Sequence, residues 1–505
     1  MEKLFNKILV ANRSEIAIRV MNACRTLGIP SVAIYSDADS GSKHRLYADE
    51  AVNVGPPPPR ESYLDIDKII NAAKQNDCDA IHPGYGFLAE NPTFAQRCED
   101  EGITFIGPSA DAIKLLGNKV ESRIRMADAG IPLIPGMKGT ETDLAVYRDA
   151  AEKAGYPVMI KAAAGGGGKG MRVVNSPDQL SDAIEAARRE AKNAFDDDTV
   201  YLEKYIVKPR HIEFQVLADK HGKTIHIFER ECSIQRRHQK IVEETPSVAV
   251  DDDLRSRMGA DAVKVAQAAD YTNAGTVEFL LDETGHYYFL EMNTRIQVEH
   301  PVTEMVVGVD LVVEQIRIAA DLPISEQFHN LSQRGHAIEC RIYAEDGENN
   351  FMPSTGKILH YSEPTGPGIR VDSGISTGME VTIDYDPILS KLIVHAPTRE
   401  LAVKKMISAL YNYKILGVKT SRKFMVDVLS HPEFTAGRTY TDFIEKNMSD
   451  RELDLDQFKE LAVAAATVSS YGGKAVSTSA GEGSTARSSP WQTLGNWQIG
   501  ESIHE

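Results

Sequence analysis

The chain has few cysteines and no long apolar run. Five cysteines occur among 505 residues, and no two of them form a CxxC pair, which argues against a zinc site and against a disulfide framework. A reducing cytoplasm is the expected location. No apolar run approaches the ~20 residues of a membrane span, and no apolar signal region precedes the first strand-like run, so neither a membrane nor a secreted protein is expected. The cysteines are Cys24, Cys78, Cys98, Cys232 and Cys340.

Basic residues are also in deficit. The chain has 56 lysines and arginines against 73 aspartates and glutamates, a formal net charge of −17. A groove for nucleic acid requires a basic surface, so that class of function is disfavoured. An anionic small substrate would need basic residues gathered locally against this acidic background. Hydrophobic residues make up 42% of the chain, ample for the cores of the two to four domains that its length suggests.

Two common nucleotide-binding signatures are missing. The turn at residues 11–15 lacks GxGxxG, so a dinucleotide-binding fold has no support, and no GxxxxGK[ST] match to a Walker A loop occurs. The first stretch nevertheless alternates strand and helix patterns, which predicts an α/β domain with a parallel sheet between helices. Predicted strands cover residues 8–10, 31–35, 79–81 and 104–106, and predicted helices cover residues 15–27 and 65–75.

These patterns divide the chain into four segments. The first domain covers residues 1–114. The second, which holds a glycine-rich loop and several polar strands, covers residues 115–331, and the third, which opens with a predicted strand at 336–342, covers residues 335–448. Ser, Gly, Ala and Thr dominate residues 464–490, a composition that cannot bury a core. Residues 449–505 are therefore predicted to be a linker and tail.

The glycine-rich loop follows a predicted strand at residues 156–160. Its four glycines, at 165–168, let a backbone fold over phosphates and point N–H groups at them. Alone, such a loop is equally typical of a flexible surface segment. Lys161, at the end of the strand, favours phosphate binding because a cation there can meet a phosphate. Lys119 is a second candidate, although an isolated lysine is more often a solvated one.

The strongest pattern is a predicted hairpin at residues 276–293. Its strands flank Thr284-Gly285, and a two-residue loop there places Glu278 directly opposite Glu291. Asn293 lies on the same face, two residues beyond Glu291. Adjacent carboxylates repel each other, and a divalent cation removes that repulsion; oxygen ligands suit Mg²⁺ or Mn²⁺. The alternative, two exposed acids on an edge hairpin, is disfavoured because apolar residues fill the intervening positions.

Polar segments precede and follow this hairpin. Immediately after it, Arg295 suits a planar anion and Glu299 suits a general base, with a simple Arg–Glu surface pair as the alternative. The dense basic segment Gln235-Arg-Arg-His-Gln-Lys240 follows a predicted strand at 224–228, so it either hangs over the site or forms a solvated loop. The turn His82-Pro-Gly-Tyr-Gly-Phe87 carries an exposed aromatic residue, with a tight connection as the alternative.

Together these segments resemble biotin carboxylase, an ATP-grasp enzyme that is a component of acyl-CoA and pyruvate carboxylases. The resemblance runs from Lys7 to Met448. It implies an α/β ATP-grasp fold with an N-terminal doubly wound parallel-sheet domain, a mobile lid at about residues 132–204 and a C-terminal α+β domain. Ser14 departs from the glycine usual in the first motif, and Asp384 departs from the aromatic residue usual before Tyr385. The motifs are Ala11-Asn-Arg with Glu15-Ile-Ala, His82-Pro-Gly-Tyr-Gly-Phe-Leu, Lys161 with its glycines, Gln235-Arg-Arg-His-Gln-Lys, and Glu291-Met-Asn-Thr-Arg-Ile-Gln-Val-Glu-His-Pro-Val-Thr-Glu.

The resemblance implies a role for each polar group in these motifs. Glu299 would take the proton of bicarbonate, whose oxygen would attack the γ-phosphate of ATP to give carboxyphosphate, which breaks to CO₂ and phosphate. Arg341 would stabilise the enolate-like ureido oxygen of biotin, and Tyr85 and Gly86 would lie near biotin. Glu278, Glu291 and Asn293 would hold Mg²⁺ or Mn²⁺, and Lys240, Arg295, Gln297 and Val298 would bind bicarbonate. ATP would be surrounded by Lys119, Lys161, Gly167, Gly168, Glu203, Lys204, Tyr205, Ile206, His211, Gln235, His238, Glu278, Leu280 and Glu291.

The resemblance also predicts partners. No Ala-Met-Lys-Met or similar biotin-attachment motif occurs in the sequence, so biotin is expected as a substrate on a separate carrier protein. A carboxyltransferase subunit is the second expected partner, and a homodimer or larger complex is the expected state. Trp491 and Trp497 follow the Ser/Gly-rich linker. The tail that contains them is either a docking peptide for a partner subunit or a disordered end, and both interpretations stay open.

Two other functions remain open at this point. Another ATP-grasp ligase would keep the glycines and the paired carboxylates but not the Arg295-to-His300 segment. A non-catalytic nucleotide-binding regulator would have a broken metal pair or would lack the base, and neither is broken here. The final acyl acceptor, whether acetyl-CoA, propionyl-CoA or pyruvate, stays open because a transferase subunit chooses it.

Overall fold

The computed structural model of the chain describes residues 4–137, 143–163 and 171–448, together with 463, 464 and 467. Met1–Asp450 form one compact unit and Arg451–Glu505 form a second. The predicted phosphate loop, including Gly167 and Gly168, and the two tryptophans of the predicted tail lie outside the described residues. Among the residues that are described, no helix combines the length and the apolar character needed to cross a membrane.

The N-terminal part is a parallel sheet between helices, as predicted. Its elements are β1 (Ile8–Val10), α1 (Ser14–Thr26), β2 (Ser31–Ser36), α2 (Lys43–Tyr47), β3 (Glu50–Gly55), α3 (Ile66–Gln75), β4 (Ala80–His82), α4 (Pro92–Asp100) and β5 (Thr104–Phe105). The strand order is β3-β2-β1-β4-β5. Alternate residues of β1 point into two different cores: Ile8 and Val10 pack with α1, whereas Leu9 packs with α3 and α4. The continuous apolar run of β1 follows from this burial on both faces.

The next part carries a small sheet of its own. Its elements are α5 (Ala110–Gly117), α6 (Lys119–Asp128), α7 (Leu144–Ala154), β6 (Val158–Ala162), β7 (Arg172–Val174), α8 (Leu180–Phe195) and β8 (Val200–Lys204). The three strands pair antiparallel in the order β7-β6-β8. Helices α7 and α8 cover the sheet with a shared apolar core. The small sheet with α7 and α8 lies within the segment predicted to be a lid, about residues 132–204, whose motion stays a prediction.

A larger antiparallel sheet begins after the small one. The elements that follow are β9 (Arg210–Ala218), β10 (Thr224–Arg236), β11 (Gln239–Thr245), α9 (Asp252–Ala268), β12 (Asn273–Leu281), β13 (Tyr287–Asn293), α10 (His300–Val307) and α11 (Leu311–Ala319). Helix α9 packs on this sheet through Leu254, Met258 and Val265, which are buried with Phe214 and Phe279. The predicted strand at 224–228 was too short, because the strand continues through bulges to Arg236.

The C-terminal part extends the same sheet. Its elements are β14 (His336–Tyr343), β15 (Glu345–Asp346), β16 (Met352–Pro353), β17 (Gly356–Lys357), β18 (His360–Ser362), β19 (Ile369–Ser373), β20 (Glu380–Val381), β21 (Ile388–Ala396), α12 (Arg399–Asn412), β22 (Lys414–Leu416), α13 (Arg422–Ser430), α14 (Pro432–Thr435) and α15 (Phe443–Asn447). The full strand order is β13-β12-β9-β10-β11-β14-β21-β19. Strands β11 and β14 join the second and third predicted domains by a ladder in which Val242 pairs with Cys340.

Candidate active site

The predicted carboxylate hairpin is formed by β12 and β13. Glu278 lies directly opposite Glu291, as predicted. The predicted two-residue loop was wrong: Asp282 pairs with His286 across a three-residue loop, residues 283–285. That loop alone would shift the register by one residue. A bulge between Glu278 and Phe279 restores it, because a bulge sets two residues of one strand against one of the other.

Glu278 is the more heavily contacted of the two hairpin acids. Its Oε1 atom accepts hydrogen bonds from Asn293 Nδ2 at 2.8 Å and from Gln297 Nε2 at 3.1 Å. Its Oε2 atom lies 3.0 Å from His211 Nε2. Burial alone would raise the pKa of this carboxyl, but the charges of Lys240 and His211 outweigh burial and lower it strongly. Glu278 is therefore an anion in the folded protein.

Glu291 has a different environment. Its side chain is 41% exposed, and its nearest cation is Lys119, whose Nζ atom lies 4.0 Å from Oε2. Partial burial and repulsion by Glu278 raise its pKa. Glu291 thus lies beside the carboxylate of Glu278 with little positive charge near it. A divalent cation stabilises such a pair of carboxylates. The oxygen atoms of Glu278, Glu291 and Asn293 therefore fit the Mg²⁺ or Mn²⁺ predicted for them.

Lys240 stands at the centre of the site. It is the second residue of β11, and its Nζ atom donates to Glu278 at 2.7 Å, to Glu299 at 2.8 Å and to Glu213. Burial opposes its charge, yet these three carboxylates raise its pKa well above the ordinary value. The basic segment is thus the end of one strand and the start of the next, with its lysine directed into the site.

Glu299 and Arg341 form a buried pair beside Lys240. Arg341 Nη2 donates to Glu299 Oε2 at 3.0 Å, and Arg341 Nε donates to Glu243 at 2.6 Å. Burial would raise the pKa of Glu299, but Lys240, Arg341 and the nearby Arg230 lower it well below the ordinary value. Glu299 is therefore an anion in this state. A substrate that draws these cations away would raise its pKa and allow it to accept a proton.

Arg295 does not pair with Glu299, so the simple surface pair is excluded. Its Nε atom donates to Glu90 at 2.9 Å, and its Nη1 and Nη2 atoms donate to Gln297 at 3.1 Å and to Asn293 at 3.2 Å. The guanidinium group therefore lies between the paired acids and the loop that carries Glu90. Val298 follows Gln297, and its carbonyl oxygen accepts from Lys391 at 2.8 Å.

The turn after β4 faces the same site. Tyr85 was expected to be exposed, but it is half-buried and its hydroxyl oxygen is buried, whereas Gly86 is exposed. Asn12 holds the turn, since its Nδ2 atom donates to the carbonyl oxygens of Pro83 at 2.8 Å and of Tyr85 at 2.7 Å. Tyr85 lies inward because the positive φ angles of the two glycines, +64° and +67°, fold the loop tightly.

The residues predicted to surround ATP come from both sheets. On the small sheet, Lys161 Nζ lies 2.6 Å from Glu203, which also pairs with Arg123. Lys204 instead donates to the carbonyl oxygens of Gly155 and Tyr156, at 2.8 and 3.1 Å. On the large sheet, Gln235 contacts His211 Nδ1 at 3.1 Å. Tyr205, Ile206 and Leu280 are half-buried, and His238 is exposed on the turn between β10 and β11.

Three family models match the chain in sequence order. Residues 4–113 match the biotin carboxylase N-terminal domain, residues 118–327 the carbamoyl-phosphate synthase L chain ATP-binding domain, and residues 339–446 the biotin carboxylase C-terminal domain. The biotin carboxylase of Nostoc sp. is 50% identical over 442 residues, which cover 88% of this chain and 99% of that relative. The chain belongs to the biotin carboxylase family. The ATP-grasp fold and the class of ATP-dependent ligases follow from this membership.

A solved structure of the biotin carboxylase family agrees with this fold. The biotin carboxylase domain dimer of the Hydrogenobacter thermophilus 2-oxoglutarate carboxylase, in complex with MgADP, ADP and bicarbonate, superposes with a TM-score of 0.85 at 47% identity. The match covers 90% of this chain and all of that one.

Longer relatives of the biotin carboxylase family extend beyond this chain. The rat mitochondrial methylcrotonoyl-CoA carboxylase subunit alpha is 48% identical, and this chain spans 62% of its length. The corresponding subunit of Dictyostelium discoideum is 45% identical over 502 residues, 99% of this chain and 71% of that relative. That match includes the predicted linker and tail, whereas the match to the Nostoc biotin carboxylase covers 88% of the chain.

Several charged residues of this biotin carboxylase site were not predicted from the sequence. Glu213 joins Lys240 to Arg230, which is fully buried, while Glu90 holds Arg295 and Glu243 holds Arg341. One signal was present: His211, Glu213 and Gln215 alternate with apolar residues along β9, which puts all three on one face of the sheet. β11 offers no such signal for Glu243, because Ile241 and Val242 are followed directly by Glu243 and Glu244.

Proposed function

We propose that this chain is a biotin carboxylase that uses ATP and bicarbonate to carboxylate biotin, the first half-reaction of an acyl-CoA or pyruvate carboxylase. The observation that carries the proposal is the position of Lys240. Its ammonium group contacts both the candidate metal ligand Glu278 and the candidate base Glu299. One group thus joins a site suited to nucleotide phosphates and a site suited to a small anion.

The phosphate side of the site would hold Mg²⁺ through Glu278, Glu291 and Asn293. Bound there, Mg²⁺ supplies positive charge next to the phosphates of ATP. Lys119 and Lys161 offset the remaining charge of the phosphates, because both ammonium groups lie beside the carboxylates that face this side. Main-chain N–H groups of the glycine-rich segment, residues 165–168, are proposed to donate hydrogen bonds to the phosphates as well.

The anion side of the site would hold bicarbonate against Lys240, Arg295, Gln297 and Val298. An anion placed there attracts Lys240 and weakens its hold on Glu299, which raises the pKa of Glu299 and lets it take the bicarbonate proton. The deprotonated oxygen then attacks the γ-phosphate of ATP, which gives ADP and carboxyphosphate. Carboxyphosphate breaks to CO₂ and phosphate.

The last step needs a group that stabilises biotin as it reacts. We propose that Arg341 donates to the ureido oxygen of biotin. Negative charge develops on this oxygen as the ureido nitrogen loses its proton to the phosphate released from carboxyphosphate and bonds to CO₂. Its guanidinium group is fixed by Glu243 on one side and by Glu299 on the other. Tyr85 and Gly86 are proposed to lie against biotin, since their turn carries the exposed backbone of Gly86 beside the half-buried side chain of Tyr85.

One assay separates this proposal from the two alternatives. We expect ATP hydrolysis to require bicarbonate and to rise when free biotin is added, with carboxybiotin as a product. Another ATP-grasp ligase would hydrolyse ATP without a bicarbonate requirement, and a non-catalytic regulator would bind ATP without hydrolysis. Glu433, which pairs with Arg438 on the surface, offers a matched control. Glu433→Gln removes a carboxylate far from these motifs in sequence and should leave the rate of ATP hydrolysis unchanged, with and without biotin.

The partners proposed for this activity are a biotin carrier protein and a carboxyltransferase subunit, with a homodimer or larger complex as the working state. The relatives include a methylcrotonoyl-CoA carboxylase subunit and a 2-oxoglutarate carboxylase, so they do not identify which molecule finally accepts the carboxyl group. A cytoplasmic location is also proposed, because all five cysteines are buried and none is in a disulfide.

The tail, residues 464–505, is proposed to dock a transferase or carrier subunit. Tryptophans are common anchors at interfaces, the tail contains Trp491 and Trp497, and the match to the Dictyostelium subunit extends through this tail. Deleting residues 464–505 should weaken partner binding while carboxylation of free biotin survives. Unchanged partner affinity in the deletion would leave the tail without this role.

A further inference from the structure

Lys391 lies where three parts of the chain meet. It is on β21, and its side chain is fully buried. Its cross-strand neighbours are Arg341 on β14 and Asp372 on β19. A buried ammonium group is costly unless it is hydrogen-bonded and paired. The partners of Lys391 therefore indicate what its burial achieves.

In the described residues, the side chain of Lys391 makes one hydrogen bond, which is to the backbone of the bicarbonate segment, residues 295–299. Its Nζ atom donates to the carbonyl oxygen of Val298 at 2.8 Å. The two nearest carboxylates are farther away, Asp372 at 3.7 Å and Glu15 at 3.8 Å. They balance the charge, whereas the short contact fixes the peptide unit between the candidate bicarbonate ligand and the candidate base.

The same ammonium group faces the tyrosine loop, residues 82–87. Its Nζ atom lies 5.9 Å from the centre of the Tyr85 ring, within the range of a cation–π contact. Asn12 holds the backbone of that loop through hydrogen bonds to the carbonyl oxygens of Pro83 and Tyr85. Glu15, whose Oε2 atom is buried without a hydrogen bond in the described part of the chain, is the second residue of α1.

We propose that Lys391 is a positioning residue that sets the spacing between the bicarbonate segment and the tyrosine loop. The inference rests on the proposed function, because it assigns bicarbonate to the first element and biotin to the second. CO₂ released from carboxyphosphate must be captured before it diffuses away. Capture depends on the distance between these two elements, and a displacement of about 1 Å can cost a large factor in rate. Lys391 therefore couples ATP hydrolysis to carboxylation without touching either substrate.

The experiment measures how many ATP molecules are hydrolysed for each carboxybiotin formed. In Lys391→Met, we expect this ratio to rise by at least about five-fold, because carboxyphosphate still forms while its CO₂ is lost. The KM for ATP should stay within about two-fold of the wild-type value, since Lys391 faces no predicted nucleotide residue. Lys391→Arg, which keeps the charge and displaces the donor, should give an intermediate ratio.

Controls separate a positioning role from a loss of folding. Lys405→Met removes another lysine that donates to main-chain oxygens of the same domain, those of Pro367 and His395, and should keep the wild-type ratio. If Lys391→Met does not fold, Glu15→Gln combined with Lys391→Met takes its place, because it removes the charge of Lys391 together with that of one carboxylate that balances it. Lys391→Arg is then the third variant.

The outcomes are distinct. A wild-type ratio in the folded Lys391 variants would overturn the inference while the proposed function stands. A wild-type enzyme that hydrolyses no ATP in response to bicarbonate would instead overturn the proposed function. A raised ratio in Lys405→Met as well would show a general effect of altering this domain, and would also overturn the specific role of Lys391.

Discussion

Arg341 donates to Glu299 across 3.0 Å, and both side chains are buried. Arg341 lies on β14 and Glu299 lies just before α10, so the contact joins the C-terminal domain to the segment that follows the carboxylate hairpin. Lys240 contacts the other oxygen of the same carboxylate. The candidate base therefore rests as an anion between two cations until a substrate changes that balance.

The role of Glu299 as the base is tested by Glu299→Gln. We expect bicarbonate-dependent ATP hydrolysis to fall by at least about 100-fold, because the amide cannot accept the proton. The dissociation constant for ATP, measured by calorimetry, should change by less than about two-fold. A variant that kept its bicarbonate response would remove Glu299 from this role.

The metal role of the hairpin is tested by Glu291→Gln. The substitution keeps size and removes a charge that would balance Mg²⁺, so we expect kcat to fall by about 100-fold and the Mg²⁺ concentration for half-activity to rise. Without metal, the variant should unfold no more easily than the wild type, because it loses the repulsion between Glu278 and Glu291. Unchanged Mg²⁺ dependence with wild-type turnover would place the metal elsewhere.

The buried arginine behind the site should matter more for stability than an exposed one. Arg230 is fully buried and donates to Glu213, Gln215, Thr276 and Thr303. Removing it leaves a buried charge, so Arg230→Met should lower the free energy of unfolding by about 3–5 kcal/mol. Arg438→Met is the matched control, since Arg438 pairs with Glu433 on the surface and should cost less than about 1 kcal/mol. Equal losses in urea denaturation would contradict this account.

Acid should weaken the fold through Glu244. Burial would raise its pKa, but hydrogen bonds from His336 and Arg399 outweigh burial and lower it to about 2. Because the folded value lies below the ordinary 4.5, the carboxylate stabilises the fold above that pH and loses its contribution as the pH falls toward 2. Between pH 7 and pH 3, the stability advantage of wild type over Glu244→Gln should shrink by about 2 kcal/mol. Urea denaturation at both pH values measures it, and a constant difference would contradict it.

Ser14 should be better replaced by glycine. It has a φ angle of +60° at the start of α1, a left-handed conformation that costs a residue with a Cβ atom roughly 1 kcal/mol relative to glycine. Ser14→Gly should therefore raise the free energy of unfolding by about 1 kcal/mol. Ser122→Gly, in the interior of α6 where φ is helical, should lower it. A loss of stability in Ser14→Gly would mean that the Ser14 hydroxyl makes a contact worth more than the strain.

The hairpin shows why part of the site could be predicted from the sequence. Two strands with a period of two fix which residues share a face, so Glu278, Glu291 and Asn293 could be grouped from their spacing in the chain. The loop length was predicted wrongly, and the bulge that compensates for it has no clear sequence signal. Prediction of the pairing thus held because two local deviations cancel.

Long-range charge pairs could not be predicted in the same way. Glu90 meets Arg295 across 205 positions of the chain, and Arg341 meets Glu243 across 98. Local patterns say that each residue is polar and on which face of its own strand it lies. They do not say which strands become neighbours, so Glu90, Glu213 and Arg230 were missed. The departure at Ser14, in contrast, was visible from the motif, and its positive φ gives the physical reason for glycine there.

The two separate sheets divide the site into residues that the predicted lid motion would carry along and residues that it would leave in place. Glu278 and Arg341 belong to one hydrogen-bonded ladder that runs unbroken across the seam between the second and third domains. Lys161 and Glu203 belong to the small sheet. The chain approaches this sheet through residues 132–137, where Phe289 N–H donates to Pro132 and Lys204 N–H to Pro135, and leaves it for β9 through residues 205–209. A rotation about these two connections would carry Lys161, which is proposed to face the phosphates, toward or away from the large sheet. The residues proposed to bind bicarbonate and biotin would keep their positions while the nucleotide enters and leaves.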